Sequence, residues 1–203
     1  RTVLRAALLA GLLPAGGALG LVGCASTPAV AVETARSGVA RAAADPSTIP
    51  AAVASMTAFG GALWRQLMTD APGNSVFSAY SLLMAFDMVR QGAKGTTAAE
   101  MDKALTTDGA RLAVGLNALA QELARRPGER KNANGDTGQI VWHEANSLWG
   151  QKGLTWEAPF LDTLASQFGT GMRLVDYADP EKARTLINAW VAEATKTLIP
   201  ELL

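Results

Sequence analysis

Between residues 51 and 203 the apolar positions recur mostly at helical spacing, and in two places they crowd as they do in strands. Val53, Met56, Phe59, Leu63 and Leu67 form one stripe with Arg65 and Asp70 off it, which predicts an amphipathic helix of about four or five turns. Ala71-Pro72-Gly73-Asn74 ends it with turn-forming residues. After a short extended piece, Ser75-Val76-Phe77, the serines Ser78 and Ser81 stand at the entry of a second helix through Leu82 to Val89. Its apolar residues run nearly all the way round, so burial on most sides is expected, with a serine cap at the start and Gly92 as the stop. Asp87 is out of place there. A buried carboxylate needs a partner, and Arg90, three residues on, is the expected one.

Thr97-Ala98-Ala99-Glu100 has the form of a capping box and predicts a third helix starting there, carrying Met101 and Leu105. Leu112, Leu116, Leu119 and Leu123 predict a fourth. Residues 127–138, PGERKNANGDTG, read as a loop. The β-branched and aromatic run 139–149 reads as one strand and 172–177 as a second, with a helix between them that holds Phe160, Leu161, Leu164 and Phe168 and closes at Gly169. Asp179-Pro180-Glu181 starts the last helix, whose stripe is Leu186, Ile187, Trp190, Val191 and Ala194. Two strands do not make a stable sheet. Both carry apolar residues on more than one face, so they are expected to belong to a larger sheet, and the sequence is expected to stop inside a domain.

The first 50 residues have a different character. Arg1 and Arg5 precede an apolar run, Ala6 to Leu21, that is too short to span a bilayer comfortably. This is the pattern of a secretory signal, and its end, Leu21-Val22-Gly23-Cys24, resembles the bacterial lipobox. That resemblance implies cleavage before Cys24, a lipid on its thiol, and an exported product anchored at the cell surface or facing the extracellular space. A preceding arginine would make the start a twin-arginine signal, so the Sec and twin-arginine routes both stay open. Residues 24–50, rich in Ala, Ser, Thr and Pro and free of aromatics, read as a spacer between lipid and body.

Composition narrows the function. The chain of 203 residues holds 18 basic and 18 acidic side chains, which excludes a nucleic-acid footprint over the whole chain. Removing residues 1–23 takes away Arg1 and Arg5 and no acid, so the electrostatics offer no membrane attraction and the lipid would be the anchor. With one Cys and one His, neither a disulfide framework nor a Cys- or His-based metal site is possible, and no cofactor is expected. There is no Gly-x-Ser-x-Gly elbow and no Ser-x-x-Lys. His143-Glu144 lacks the second His of a zinc-protease pair, and Gly92 to Thr97 lacks the Gly-Lys-Ser/Thr order of a phosphate loop. His143 and the five Trp residues are read as packed side chains. Arg111, Arg125, Arg126, Arg130 and Lys131 gather near the fourth helix, but Glu122 and Glu129 dilute them. No enzyme is expected.

Five blocks, in order, carry a family resemblance. Asn74 to Leu82 is similar to the serpin stretch Asn-x-x-x-Ser-Pro-x-Ser-Ile/Leu, and Gly92 to Met101 is similar to the serpin GAKGxTxxEM. Ala145-Asn146-Ser147-Leu148-Trp149, Val175-Asp176-Tyr177 and Ile187-Asn188-Ala189-Trp190-Val191 resemble the family's ANxLF/W, VDF and INxWV blocks. The resemblance implies an α+β fold: the N-terminal part of a serpin over 51–203, with helices of the A to F type and two strands of the large sheet A. Strand 139–149 would be central, 172–177 an edge strand, and the last helix would lie across the sheet. It implies inhibition of a serine protease as a suicide substrate. The protease cleaves an exposed reactive loop and is held as an acyl-enzyme, and the loop then inserts into sheet A. Ser78, Ser81 and Asn188 match members of the family's shutter, beneath the strands that part.

The chain departs from the family at Ala79, where serpins have Pro, at Asp87, where they have a small residue, and at Thr197, where Gly is common. The reactive loop, near the C-terminus of serpins, is not in this sequence. A non-inhibitory binding protein of the same fold, or a truncated product without function, are the alternatives.

Overall fold

The computed structural model describes residues 32–69 and 73–203; the apolar segment read as an export signal, Cys24, Ala71 and Pro72 lie outside the described residues. In chain order the elements are β1 (Thr34–Ala35), a single 3-10 turn (Pro46–Thr48), α1 (Ile49–Leu67), α2 (Ala79–Arg90), α3 (Gly95–Ala104), α4 (Gly109–Leu123), β2 (Gly128–Lys131), β3 (Thr137–Ile140), β4 (Leu148–Gln151), α5 (Ala158–Phe168), β5 (Met172–Val175) and α6 (Pro180–Ala194).

The caps explain several starts. Asp45 accepts from the Ser47 amide at 3.0 Å before the 3-10 turn that leads into α1. Ser78 Oγ accepts from the Ser81 amide at 3.1 Å, as expected for α2. Asp108 accepts from the Ala110 amide and starts α4. Asp179 accepts from the Lys182 amide at 3.1 Å, with Pro180 as the first helical residue of α6. Each satisfies an amide that the helix leaves free. Gly169 ends α5 in the left-handed region, φ 64°, where glycine costs nothing.

Helix α4 is the hub, with α1, α2 and α5 packed on it. The core cluster joins Ala52 and Phe59 of α1, Leu83 and Met84 of α2, Leu105, and Leu112, Leu116 and Ala120 of α4. Gly115 lets α1 approach: a Cβ there would stand 2.7 Å from Ala52 Cβ and 3.1 Å from the Thr48 carbonyl oxygen. The expected α1 stripe is therefore turned, since Ala52 is buried while Val53 and Leu67 are exposed.

Several further expectations need correction. Helix α2 is not buried on most sides: Leu83, Met84 and Met88 face inward, and Phe86 and Val89 are exposed. Helix α3 begins two residues before Thr97, with Lys94 as its N-cap and no side-chain cap, so no capping box forms. The loop 127–138 is largely a hairpin, β2 pairing with β3 antiparallel, Gly128 opposite Ile140 and Lys131 opposite Thr137. Asn132 Oδ1 closes its turn by accepting from the amides of Asn134 and Asp136, both at 2.9 Å. The run 139–149 is not one strand. Its start pairs within the hairpin, 141–147 is irregular, and β4 begins at Leu148. Another concerns Asp87 and is described with the site.

The larger sheet has the order β1-β5-β4, and α5 connects the parallel pair β4 and β5. β5 is therefore not an edge. β1 lies antiparallel on it, Thr34 opposite Arg173 and Ala35 opposite Met172. The Leu174 amide donates to the Glu33 carbonyl at 2.9 Å, and Lys152 pairs with Glu33 at 2.8 Å. Gly171 permits the approach, because a Cβ there would meet the Ala35 carbonyl oxygen at 2.5 Å. Residues 32–48, within the segment whose composition reads as a spacer, thus lie along the body. The Ser37 hydroxyl donates to the Asp162 carboxylate, the Ala42 amide donates to the Ser166 carbonyl at 2.7 Å, and buried Asn117 accepts from Arg41 Nε and donates to the Ala42 carbonyl.

Candidate functional site

The site that the sequence points to is the sheet, the helix across it, and the entry of α2. β4 presents Trp149, whose indole N–H donates to Ser147 Oγ at 2.8 Å. α6 presents Trp190, edge-on to Trp149 at 5.9 Å between ring centroids. The Arg173 guanidinium of β5 lies 4.6 Å from the Trp190 centroid and 5.9 Å from that of Trp149. Two aromatic faces and a cation thus fasten α6 across the sheet, with Ala183, Ile187 and Val191 as its buried stripe. Among the described residues the contact is one of side chains, with no backbone hydrogen bond between α6 and a strand.

The structure brings Ser78 and Ser81 together, with their hydroxyl oxygens 3.3 Å apart at the start of α2. Tyr80 extends this corner toward 141–147: its hydroxyl donates to Glu144 Oε2 at 2.9 Å, and its ring packs on Trp142. Burial, then the Glu144 carboxylate, hold the Tyr80 phenol above its ordinary pKa. Asn188 is engaged elsewhere. Its Oδ1 accepts from the amides of Leu202 and Leu203 at 2.9 and 3.0 Å, and its Nδ2 donates to the Leu203 carbonyl. Among the described residues it makes no hydrogen bond to either serine.

Asp87 is fully buried, and the expected partner is not its partner. Arg90 turns away to grip Asp102 through two bonds of 2.6 and 2.7 Å, and Asp102 also accepts from the Gly109 amide. The planar guanidinium fork fits a carboxylate free to present both oxygens, which ties α2, α3 and the start of α4 together. Asp87 is left with one bond, from Gln91 Nε2 at 3.0 Å, and its Oδ2 accepts nothing among the described residues. Burial therefore pushes its carboxyl up to about 7, against the pull of Gln91 and Arg90.

Thr197 also bears strain. It follows Lys196 at φ 53° with its own φ at 63°, a region that disfavours a β-branched side chain and costs on the order of 1–3 kcal/mol. His143 is exposed on 141–147 beside Arg173 and Trp190. Arg125 and Arg126 both pair with Glu122, which dilutes the basic gathering at the end of α4. Residues that sequence reasoning missed are Arg36 and Arg173, whose proximity is set by strand pairing, and Asn117, a polar residue on an apolar helix face.

The comparisons with known proteins agree with this architecture. The family model for Serpin (serine protease inhibitor) matches residues 54–203, and the chain belongs to the serpin family. A bovine (Bos taurus) leukocyte elastase inhibitor is 34% identical over 152 residues, covering 74% of this chain and 38% of its own. A putative serpin-Z6A from rice (Oryza sativa subsp. japonica) is 37% identical over 131 residues, 64% of this chain and 32% of its own. The chain thus spans about two fifths or less of the length of these relatives. Among solved structures, serpin-12 of Manduca sexta superposes with a TM-score of 0.63 at 23% identity, over 73% of this chain and 39% of that one. A reaction-loop-cleaved lamprey angiotensinogen gives 0.57 at 26% identity, over 75% and 42%. The fold is a partial serpin fold of mixed α+β class. Serpins are in general protease inhibitors and not enzymes.

Proposed function

We propose that this protein inhibits a serine protease by the serpin route. The observation that carries the reading is the family match over 54–203, which takes in β4, β5 and the helix α6 packed on them through side chains. In this reading the protease serine attacks a reactive-loop carbonyl and the amine leaves. The resulting ester tethers the enzyme while the loop enters the sheet as a new strand. That loop lies in the part of serpins that this chain does not span. The role of the residues in hand is to let the sheet part. Trp149, Trp190 and Arg173 form a cover that slides, and Ser78, Ser81 and Asn188 offer hydrogen bonds that exchange partners. Loop cleavage of the full natural chain is expected to raise its melting temperature well above that of the uncleaved protein, because insertion releases stored strain. An unchanged melting temperature after cleavage would favour the non-inhibitory reading.

The second part of the proposal is location. The Leu21-Val22-Gly23-Cys24 pattern supports export and a lipid on Cys24, which would hold the inhibitor at the bacterial surface. Cys24→Ala is expected to keep its signal and leave the detergent phase in a detergent-partition assay. A variant that matures and partitions as the natural protein does would refute the anchor.

A further inference from the structure

Val32, Thr34 and Arg36 alternate along the extended segment around β1, so their side chains share one face. Arg173, the register partner of Thr34, meets that face from β5. The end of α6 adds Trp190, Glu193 and Lys196, and His143 closes the ring from 141–147. Together these residues line an open cavity of about 440 Å³.

Its charge is unbalanced. Arg36, Arg173 and Lys196 bring three cations against the single carboxylate of Glu193. Among the described residues none of the three makes a side-chain hydrogen bond or an ion pair. Lys196 follows the C-cap Thr195, near the negative end of the α6 dipole, which a cation offsets. Arg36 has no such local reason to be there, and Arg173 has only its contact with the two tryptophan rings. Arg173 is half-buried, and burial, then the Arg36 charge, hold its guanidinium below its ordinary pKa. The Trp190 and Trp149 rings lie against the cation, and neither accepts a conventional hydrogen bond from its N–H groups. Among the described residues none of its five N–H donors has an acceptor, and Arg36 lines the same cavity. A half-buried cation with idle donors and a like charge beside it is costly, and an oxyanion between the two arginines removes both costs.

We propose that this cavity binds a tetrahedral oxyanion of the phosphate or sulfate class, gripped by Arg36 and Arg173 with Lys196 at the rim. The anion can be free in solution or the headgroup of an anionic lipid. Val32 stands eight residues after Cys24, so a lipid on that thiol would keep the cavity within about 30 Å of the bilayer. The headgroup source rests on the Cys24 reading; the anion site does not.

The test uses the full chain carrying Cys24→Ala, so that a lipid on that thiol does not bring it down with vesicles of either composition. Sodium sulfate and sodium phosphate are titrated calorimetrically at constant ionic strength, and sedimentation is measured with phosphatidylcholine vesicles with and without phosphatidylglycerol. Saturable binding is expected, at least about tenfold weaker in Arg36→Gln and Arg173→Gln. It should be unchanged in Arg111→Gln, which removes an equal charge from the exposed face of α4. Arg173→Gln also loses its stacking on Trp190, so Arg36→Gln, which has no such contact, carries the decision. Saturation by the salts that Arg36→Gln abolishes supports a free anion. Binding only to phosphatidylglycerol vesicles, again lost in Arg36→Gln, supports a headgroup. No saturable response in either arm, or a response that Arg36→Gln retains or Arg111→Gln loses equally, overturns the site.

Discussion

Asp87→Asn is expected to stabilise the protein at pH 8 by roughly 2–4 kcal/mol and to remove most of its loss of stability between pH 4 and pH 7. In the fold this carboxyl is raised to about 7 from an ordinary value of 3.8, chiefly by burial. Well below pH 4 it is protonated in both folded and unfolded chains and costs nothing through ionisation. As pH rises from 4 to 7 the unfolded chain releases the proton and the folded one keeps it, so stability falls. Above 7 both are ionised, and the full penalty of an anion with one hydrogen bond remains. Asparagine has nearly the same shape and no charge to bury. Asp102 works in the opposite sense. Arg90 holds its pKa below the ordinary value, so its contribution is lost only as pH falls below about 4, outside the window. Chemical denaturation of both proteins at pH 5 and pH 8 decides: an equal decline in the two would show that Asp87 is not the titrating group.

Leu116→Ala is expected to cost about 2–5 kcal/mol. Leu116 is 0% exposed on α4, in the cluster where α1 and α2 meet that helix. Its loss removes contacts on two interfaces at once, and Gly115 leaves the α1 backbone little room to close the void. Urea unfolding should show a lower midpoint with an unchanged slope. Val114→Ala, two positions back on the exposed side of the same helix, should change stability by under about 1 kcal/mol. Equal losses from the two would mean that α4 faces the other way.

The contrast between α6 and β1 shows what the sequence made legible. Asp179, Pro180 and Glu181 act within one turn of one another, so the start of α6 can be read locally, as can the Ser78 cap of α2 and the Gly169 stop of α5. β1 is two residues in an Ala- and Thr-rich stretch. It is a strand because Gly171 leaves space for it and the Leu174 amide needs an acceptor, and both lie well over a hundred residues away. Residues 139–149 have strand composition throughout, but a strand requires a partner. The hairpin supplies one to the start, β5 supplies one from Leu148 onward, and 141–147 has none among the described residues. Arg90 chose Asp102 over Asp87 for the same reason, since helix spacing places a neighbour but packing decides which carboxylate stays open to a bidentate grip. Thr197 reads in the sequence only as a family glycine replaced, and its φ of 63° supplies the physical reason why glycine suits that position. At the candidate site, the pairing of Ser78 with Ser81 was legible from their spacing, whereas the engagement of Asn188 with residues 202–203 was not.

The most direct test of the central claim is denaturing electrophoresis of the full natural chain after incubation with purified serine proteases of elastase-like, chymotrypsin-like and trypsin-like specificity. A serpin inhibitor predicts, with at least one of them, a band at the sum of the two masses that survives boiling in SDS and disappears when the protease serine is blocked beforehand. Cleavage of the chain by every protease, with no such band and full protease activity retained, would contradict inhibition by the serpin route.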